Sequence, residues 1–471
     1  MLLMARALLI STYDLGHQPF GLASPTAWLK REGLEVECTD LARQKLHDDS
    51  LRLADLIAFH LPMHTATRLA APIIRRARAL NAKARICVYG LYAPLNDSWL
   101  RTLGVDDVLN GEFEGELAAI GRQVAGRTAN ANTTLPRQTR STFESPAKLQ
   151  FIAPDRSGLP SLERYASLQM TDGTRRVTGY TEASRGCLHM CRHCPVVPVY
   201  QGQFRVVQQE VVLADVAAQV SAGAKHITFG DPDFFNGPTH AIRIVEELHS
   251  RYPDLTYDVT IKIEHLLKHQ DHLATLRDTG CLFVTSAVES IDDRVLALLE
   301  KGHTRADFEA AVGLCKETGL TLVPTFVPFH PWMTLDDYCE LLDTLARLDL
   351  VDHVAPIQLA IRLLVPSGSR LLETAEMQAF LGPFDPRTLT HRWTHPDPAV
   401  DELQAEVSAL VGRRLTTHRR ELFDAIAARA FRRAGRPQRL VARGVVPRAV
   451  PQMDEPWYCC AEPNPEQLTL V

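Results

Sequence analysis

The chain has no apolar run near the about 18 residues needed to cross a bilayer, so nothing in it reads as a helical membrane span. It also lacks an excess of one charge. Its 51 Lys and Arg stand against 56 Asp and Glu, a formal net charge of -5, which leaves no bulk positive field to hold a nucleic-acid backbone. Aromatic residues are sparse at 7%, yet hydrophobic residues reach 45% and charged ones 23%, the balance of a globular chain rather than a disordered or collagen-like one. At the start, the apolar run ALLI is too short for a secretory leader and reads as a buried strand. A cytoplasmic protein with no nucleic-acid or membrane partner is the expectation. The cysteines do not show the even spacing of a disulfide framework. Cys38, Cys87, Cys281, Cys315 and Cys339 stand singly in apolar segments and are expected to be small buried hydrophobes.

What is present falls into four stretches. Residues 1–126 alternate short β-branched runs (ALLIST, EVECTD, ADLIAFHL, ARICVYG) with amphipathic segments, which predicts a small doubly wound parallel sheet. Residues 127–148 are polar, aperiodic and rich in Thr, Asn, Arg and Pro, as a linker is. Within residues 149–396, six strand-like runs (VTGYTEAS, KHITFGD, YDVTIKI, LFVTSAVE, TLVPTFVPF and HVAPIQLAI) are each followed by a helical stretch. Six β/α units predict a partial parallel barrel, with its chemistry at the carboxyl ends of the strands. Residues 397–471 combine an Arg-rich helical extension, whose charges read as a solvated face, with a proline-rich tail. The fold class is therefore α/β.

Directly after the first barrel run stands SRGCLHMCRHCP, in which Cys187, Cys191 and Cys194 form a C-x3-C-x2-C loop. Thiolates are soft ligands suited to iron–sulfur or zinc centres, and three of them leave one metal position open. A structural zinc site would have to recruit His189, His193 or a remote group as its fourth ligand. The spacing and setting resemble the radical S-adenosylmethionine (SAM) superfamily over Thr174 to Arg370. That resemblance implies a [4Fe–4S] cluster on the three cysteines, SAM on its open iron, and an electron donor such as flavodoxin or ferredoxin. It places His193 near the adenine, where an aromatic residue is usual. Gly230 and Asp231, in GDPDFFN, take the position of the family's GGE motif at the SAM amino group, with a plain Gly-Asp-Pro turn as the alternative. Glu289 and Ser290 correspond to contacts with the SAM ribose and carboxylate, although Glu289 could instead pair with Lys262 or Lys301. If TIKIEH is extended, Lys262 and Glu264 share a polar, barrel-directed face and Lys262 joins the cofactor contacts. Gln358 and Arg362 are further strand-end candidates without an assigned task, and His330, in PFHPWMT at a strand end, is a candidate for lining the substrate mouth, with a structural histidine as the alternative.

The doubly wound first domain resembles the cobalamin-binding domains that precede many radical SAM barrels. Its D-x-x-H at Asp14 to His17 does not match the D-x-H-x-x-G loop of cobalt-ligating relatives, so cobalamin stays possible but is not favoured over a structural domain. The tail reads Trp457-Tyr458-Cys459-Cys460-Ala461-Glu462-Pro463. With YGLYAPLN, GDPDFFNGP and KGHT, it resembles the CUAEP/CCAEP-tail radical SAM family, in which selenocysteine can replace the first cysteine. The resemblance implies transfer of the 3-amino-3-carboxypropyl group of SAM to arsenite, in organoarsenical antibiotic biosynthesis of the arsinothricin type. Cys459 and Cys460 would then be catalytic thiols presenting arsenic. Two alternatives remain: an adenosyl-radical or cobalamin-dependent methyltransferase, and a metal or metalloid sensor without turnover.

Overall fold

A computed structural model describes residues 4–129, 149–413, 418–437 and 450–455 of the chain. Cys459, Cys460 and most of the predicted linker lie outside the described residues.

In the N-terminal domain, β1 (Arg6–Ser11), β2 (Glu35–Asp40), β3 (Leu56–His60), β4 (Arg85–Tyr89) and β5 (Asp107–Val108) form one parallel sheet in the order β2-β1-β3-β4-β5. The period of two along each strand accounts for its two covered faces. Leu8, Ile10, Ile57, Phe59, Ile86 and Val88 enter one core, while Ala7, Leu9, Leu56, Ala58, Cys87 and Tyr89 enter the other.

The second domain begins with β6 (Ser167–Gln169), antiparallel to β7 (Arg175–Thr181). A short ribbon, β8 (Ser184–Gly186) with β9 (Phe204–Val206), follows. Parallel to β7 run β10 (His226–Phe229), β11 (Thr256–Thr260), β12 (Cys281–Glu289) and β13 (Thr321–Phe326), a curled half-barrel sheet. The expected sixth strand is largely lost. Pro356 opens a short 3-10 turn, Pro356–Leu359, and only a parallel bridge between Phe329 and Arg362 continues the sheet. The Gln358 side chain accepts from the Phe326 amide at 3.0 Å and so extends the pairing by other means.

A hairpin of β14 (Leu381–Asp385) and β15 (Thr390–Trp393) follows, then helices Pro398–Arg413 and Arg419–Arg433. These helices bury Leu403, Val407, Ile426 and Phe431 in the barrel's core, while Arg433 pairs with Glu402 and Glu406 on the outer face. Finally β16 (Gln452–Met453) adds to the free edge of β6. The five lone cysteines are all buried.

The two domains share core. Tyr13, Met63, Ala66, Leu69 and Tyr92, from the carboxyl-end side of the N-terminal sheet, belong to the same apolar cluster as barrel residues Phe151, Ala183 and Phe229. Arg156 ties the seam by donating to Asp215 (2.8 Å), Gln18 (2.8 Å) and the Tyr180 carbonyl (2.7 Å). Buried Arg185 pairs with Glu114 and Glu182, each at 2.6 Å, beneath the rings of Phe20, Phe113 and Phe151.

Candidate active site

Cys187 follows β8 without a spacer, and Gly186 makes the turn possible. Its φ is 77°, and an added Cβ would collide with the Gln203 carbonyl and the Tyr200 ring. The loop is then fastened across the barrel mouth. The Arg192 amide donates to the Leu299 carbonyl at 3.0 Å, its guanidinium to the Leu298 carbonyl at 3.0 Å, and Arg370 bonds the Met190 carbonyl and Glu300. All three thiols are free of disulfides. Burial pushes the Cys187 thiol up to about 11 and the Cys194 thiol up to about 12, so both stay protonated until a metal ionises them. Three soft donors on one pinned loop, free of disulfides, fit a thiolate-bound metal cluster.

Next to the loop, Cys187 Sγ, a His189 ring nitrogen and an Asp233 carboxylate oxygen lie within 4.8 Å of one another. Such a trio suits a single ion, but it leaves Cys191 and Cys194 unused. Asp233 joins the cysteine loop to the helix Ile263–Lys268: its Oδ2 is 3.2 Å from His189 Nε2 and 2.7 Å from His265 Nδ1. Burial alone would raise this carboxyl, yet hydrogen bonds to the two histidines hold it below its ordinary range.

Asp231 is otherwise engaged. Both oxygens are taken, by the Ala183 amide (2.9 Å) and the Ser184 hydroxyl (2.5 Å), and burial pushes the carboxyl up to about 7. Its side chain thus braces the link from β7 to β8, and the acidic group beside the cysteine loop is Asp233, two residues on. Gly230 lies so close to Tyr180 that an added Cβ would collide with its hydroxyl.

Glu289 ends β12 in a left-handed conformation, φ 70°, and turns its carboxylate toward the cysteine loop. His193 Nε2 is 3.0 Å and Lys301 Nζ 3.5 Å from Oε1. Burial opposes ionisation, but Lys301 and His193 hold the carboxyl down at about 2. Lys301 is thus the partner that Glu289 takes. Lys262 instead stands 3.6 Å from Glu264. TIKIEH is not extended: β11 stops at Thr260, and Lys262 precedes the helix that Ile263 begins. The alternation argument for Lys262 and Glu264 therefore does not apply, although Lys262 is still buried at the barrel mouth. Ser290 accepts from the Asp292 amide at 3.1 Å and lines a cleft of about 260 Å³ with Glu289, Arg305, His330 and Met333. Arg362 is turned away, stacked 3.5 Å over Trp393 and paired with Asp401.

Asp233, His265 and His303 carry weight that sequence reasoning did not assign. His303 is buried close to Lys301 and Lys262; burial and those two cations push it down to about 4. The only signal for it is the KGHT string, directly ahead of a helix start.

Residues 181–345 match the family model described as the radical SAM superfamily. The middle of the chain is thus a radical SAM domain, and the match implies a [4Fe–4S] cluster and SAM as its cofactors. A candidate methylthiotransferase of Methanocaldococcus jannaschii is 24% identical over 187 residues, 37% of this chain. The chain covers only 40% of that relative's length. Among solved structures, OxsB, a cobalamin-dependent SAM radical enzyme with aqua-cobalamin bound, aligns with TM-score 0.68 at 14% identity over 91% of this chain and 72% of that one. TsrM, a radical SAM methyltransferase from Kitasatospora setae with cobalamin and a [4Fe–4S] cluster bound, aligns with TM-score 0.61 at 18% identity over 92% of this chain and 89% of that one. Both likenesses establish the two-domain fold.

Proposed function

We propose that this chain is a radical SAM transferase that moves the 3-amino-3-carboxypropyl group of SAM onto trivalent arsenic, with arsenite as substrate. One observation carries this reading: Cys459 and Cys460 follow, four residues on, a tail segment whose Glu455 is fixed at the seam between barrel and N-terminal domain. A [4Fe–4S] cluster on Cys187, Cys191 and Cys194 would supply the electron for cleavage of SAM, itself drawn from a flavodoxin- or ferredoxin-type donor. The chain's own groups serve binding. Ionised Glu289, with His193 and Lys301 against it, and Ser290 offer polar contacts to the ribose and carboxylate of SAM. The Gly230 backbone serves the amino group, and buried Lys262 adds positive charge at the mouth. The two tail thiols would replace hydroxyls of arsenite and hold arsenic with its lone pair free. One-electron cleavage of the bond from sulfur to Cγ would release methylthioadenosine and a 3-amino-3-carboxypropyl radical. Addition of that radical to the arsenic lone pair, return of the one electron to the oxidised cluster and uptake of hydroxide from water would leave pentavalent arsenic bound to carbon.

Reconstituted, reduced enzyme incubated with SAM and arsenite should yield methylthioadenosine and an arsenical bearing the four-carbon amino acid unit. Formation of 5′-deoxyadenosine as the sole SAM product would overturn the proposal.

The likeness to OxsB and TsrM favours a second reading, cobalamin-dependent methyl transfer. Its cofactor fits this chain poorly. With the order β2-β1-β3-β4-β5, a ligand belongs in the crevice at the carboxyl ends of β1 and β3. There Tyr13, Met63 and Tyr92 are packed into the barrel's core, and the His60 ring fills the space over Gly21. Cobalamin absorbance retained through purification, with S-adenosylhomocysteine among the products, would support the second reading instead.

A further inference from the structure

We propose that the loop after β1 and the edge strand β6 together form the docking platform for the C-terminal tail, and that Tyr13, Gly16 and Ser167 are positioning residues for the tail thiols. The catalytic half of this inference rests on the function proposed above; the docking half does not.

The loop after β1 is the place where this strand order normally receives a ligand. What lies on that loop is the chain's own tail. Gly16 has φ 75°, and an added Cβ would stand 2.9 Å from Glu455 Oε2, 3.1 Å from Glu455 Cβ and 2.8 Å from Ala166 Cβ. Only a glycine lets the tail pass so close. The Tyr13 hydroxyl donates to Glu455 Oε1 at 2.9 Å. One residue earlier, Asp454 meets Ser167 in three hydrogen bonds. Its Oδ1 accepts from the Ser167 amide (2.8 Å), its Oδ2 accepts from the Ser167 hydroxyl (2.7 Å), and its own amide donates to the Ser167 carbonyl (3.0 Å). Arg175 adds a cation at 3.6 Å from the same carboxylate. Before that, Gln452 and Met453 pair with Gln169 and Leu168, so the tail enters as the last strand of the barrel sheet. The platform is itself one piece, because the Ala166 amide donates to the Gly16 carbonyl at 2.9 Å.

Two acidic residues in succession are therefore fixed by groups from both domains. A free tail would need none of this. Connectivity alone then keeps Cys459 within about 14 Å of Glu455, four residues being able to span no more. A tether of that length raises the local concentration of the thiols over what a loose tail would give. The consequence is coupling: SAM cleavage proceeds on barrel residues, and docking decides how much of it ends in transfer.

The test uses the full chain and two variants. Gly16→Val fills the cradle from the platform side, and Asp454→Ala removes the clamp from the tail side without touching either core. Docking is read by hydrogen exchange at residues 167–169 and 450–455. Coupling is read as the ratio of arsenical formed to methylthioadenosine released, with SAM and arsenite. Wild type should protect both segments. Both variants should lose that protection, and the ratio should fall about tenfold while SAM cleavage stays within about twofold. Unchanged exchange in both variants would overturn docking. A released tail with an undiminished ratio would overturn the positioning role. A wild type that yields no arsenical while its tail still responds to the variants supports docking and overturns the arsenic reading instead.

Discussion

At the carboxyl ends of β1, β3 and β4 the chain places Tyr13, Leu61, Met63 and Tyr92, whereas at the ends of β10, β11 and β12 it places Asp233, Lys262 and Glu289. The architecture is the same in both, a parallel sheet whose loops gather at one end, and both sets are buried. The first set is apolar and aromatic; Tyr13, Met63 and Tyr92 merge with the neighbouring core and Leu61 with that of the N-terminal sheet, so their burial stabilises by removing surface from water. In the second, carboxylates are kept ionised by histidines and a lysine packed against them, which costs stability unless each charge is met. Strand ends in α/β proteins are thus places where function can be built. Which end carries the chemistry is decided by side chains, and here the N-terminal end has been given over to packing and to the tail.

The largest effect is expected at the cluster loop. Cys191→Ser should leave no iron–sulfur absorption after reconstitution and no detectable SAM cleavage, with far-ultraviolet circular dichroism unchanged. Iron and sulfide retained at wild-type levels would detach the cluster from this loop. Next is the seam. Arg185 is 7% exposed and meets Glu114 and Glu182, so Arg185→Met strands two carboxylates in the interior. Denaturant unfolding should show a loss of about 3–5 kcal/mol. A loss below about 1 kcal/mol would mean that water reaches the seam and that the two domains are not one core.

The seam also predicts an acid sensitivity. His60 is buried against Tyr89, and burial, with Arg185 nearby, pushes its imidazole down to about 3. Its unfolded value is about 6.5, so folding favours the neutral ring. The stability this gives is complete above about 6.5 and is lost as the pH falls through the window toward about 3. Between about pH 7 and about pH 5 wild type should lose about 2 kcal/mol more than His60→Gln does. Parallel pH profiles for the two proteins would show that His60 titrates freely and that the crevice is open.

Much of this was legible in the sequence, for a physical reason. Alternation along ALLIS and LIAFH is a property of single strands and survives any tertiary arrangement, so the two-faced N-terminal sheet could be read directly. The C-x3-C-x2-C loop is likewise local. What escaped depends on where strands stop. GDPDFFN offers two aspartates, and only the turn after β10 decides that Asp231 braces Ser184 while Asp233 meets His189 and His265. TIKIEH has strand-like residues throughout, yet β11 ends at Thr260 and the rest becomes a helix start. HVAPIQLAI is apolar enough for a strand, but Pro356 lacks the amide that a strand would need.

The smallest expected effect tests how far the barrel's charged end depends on its scaffold. Helix Arg305–Thr318 begins immediately after Lys301 and His303, and Thr304 caps it: its hydroxyl accepts from the Asp307 amide, while Asp307 accepts from the Thr304 amide at 2.8 Å. Thr304→Ala removes one half of this reciprocal cap and should cost about 1 kcal/mol in unfolding free energy. Lys301 should be little affected, because its ammonium is fixed by Glu289 on the other side and its amide donates to the Leu296 carbonyl at 3.0 Å. The KM for SAM should therefore stay within about twofold of wild type, well under the factor of ten that 1.4 kcal/mol at the site would bring. A rise in KM that matched the lost stability would mean that the charged strand end is held by the helix rather than by its own ion pairs. The contrast with the seam, where packing does the holding, would then narrow.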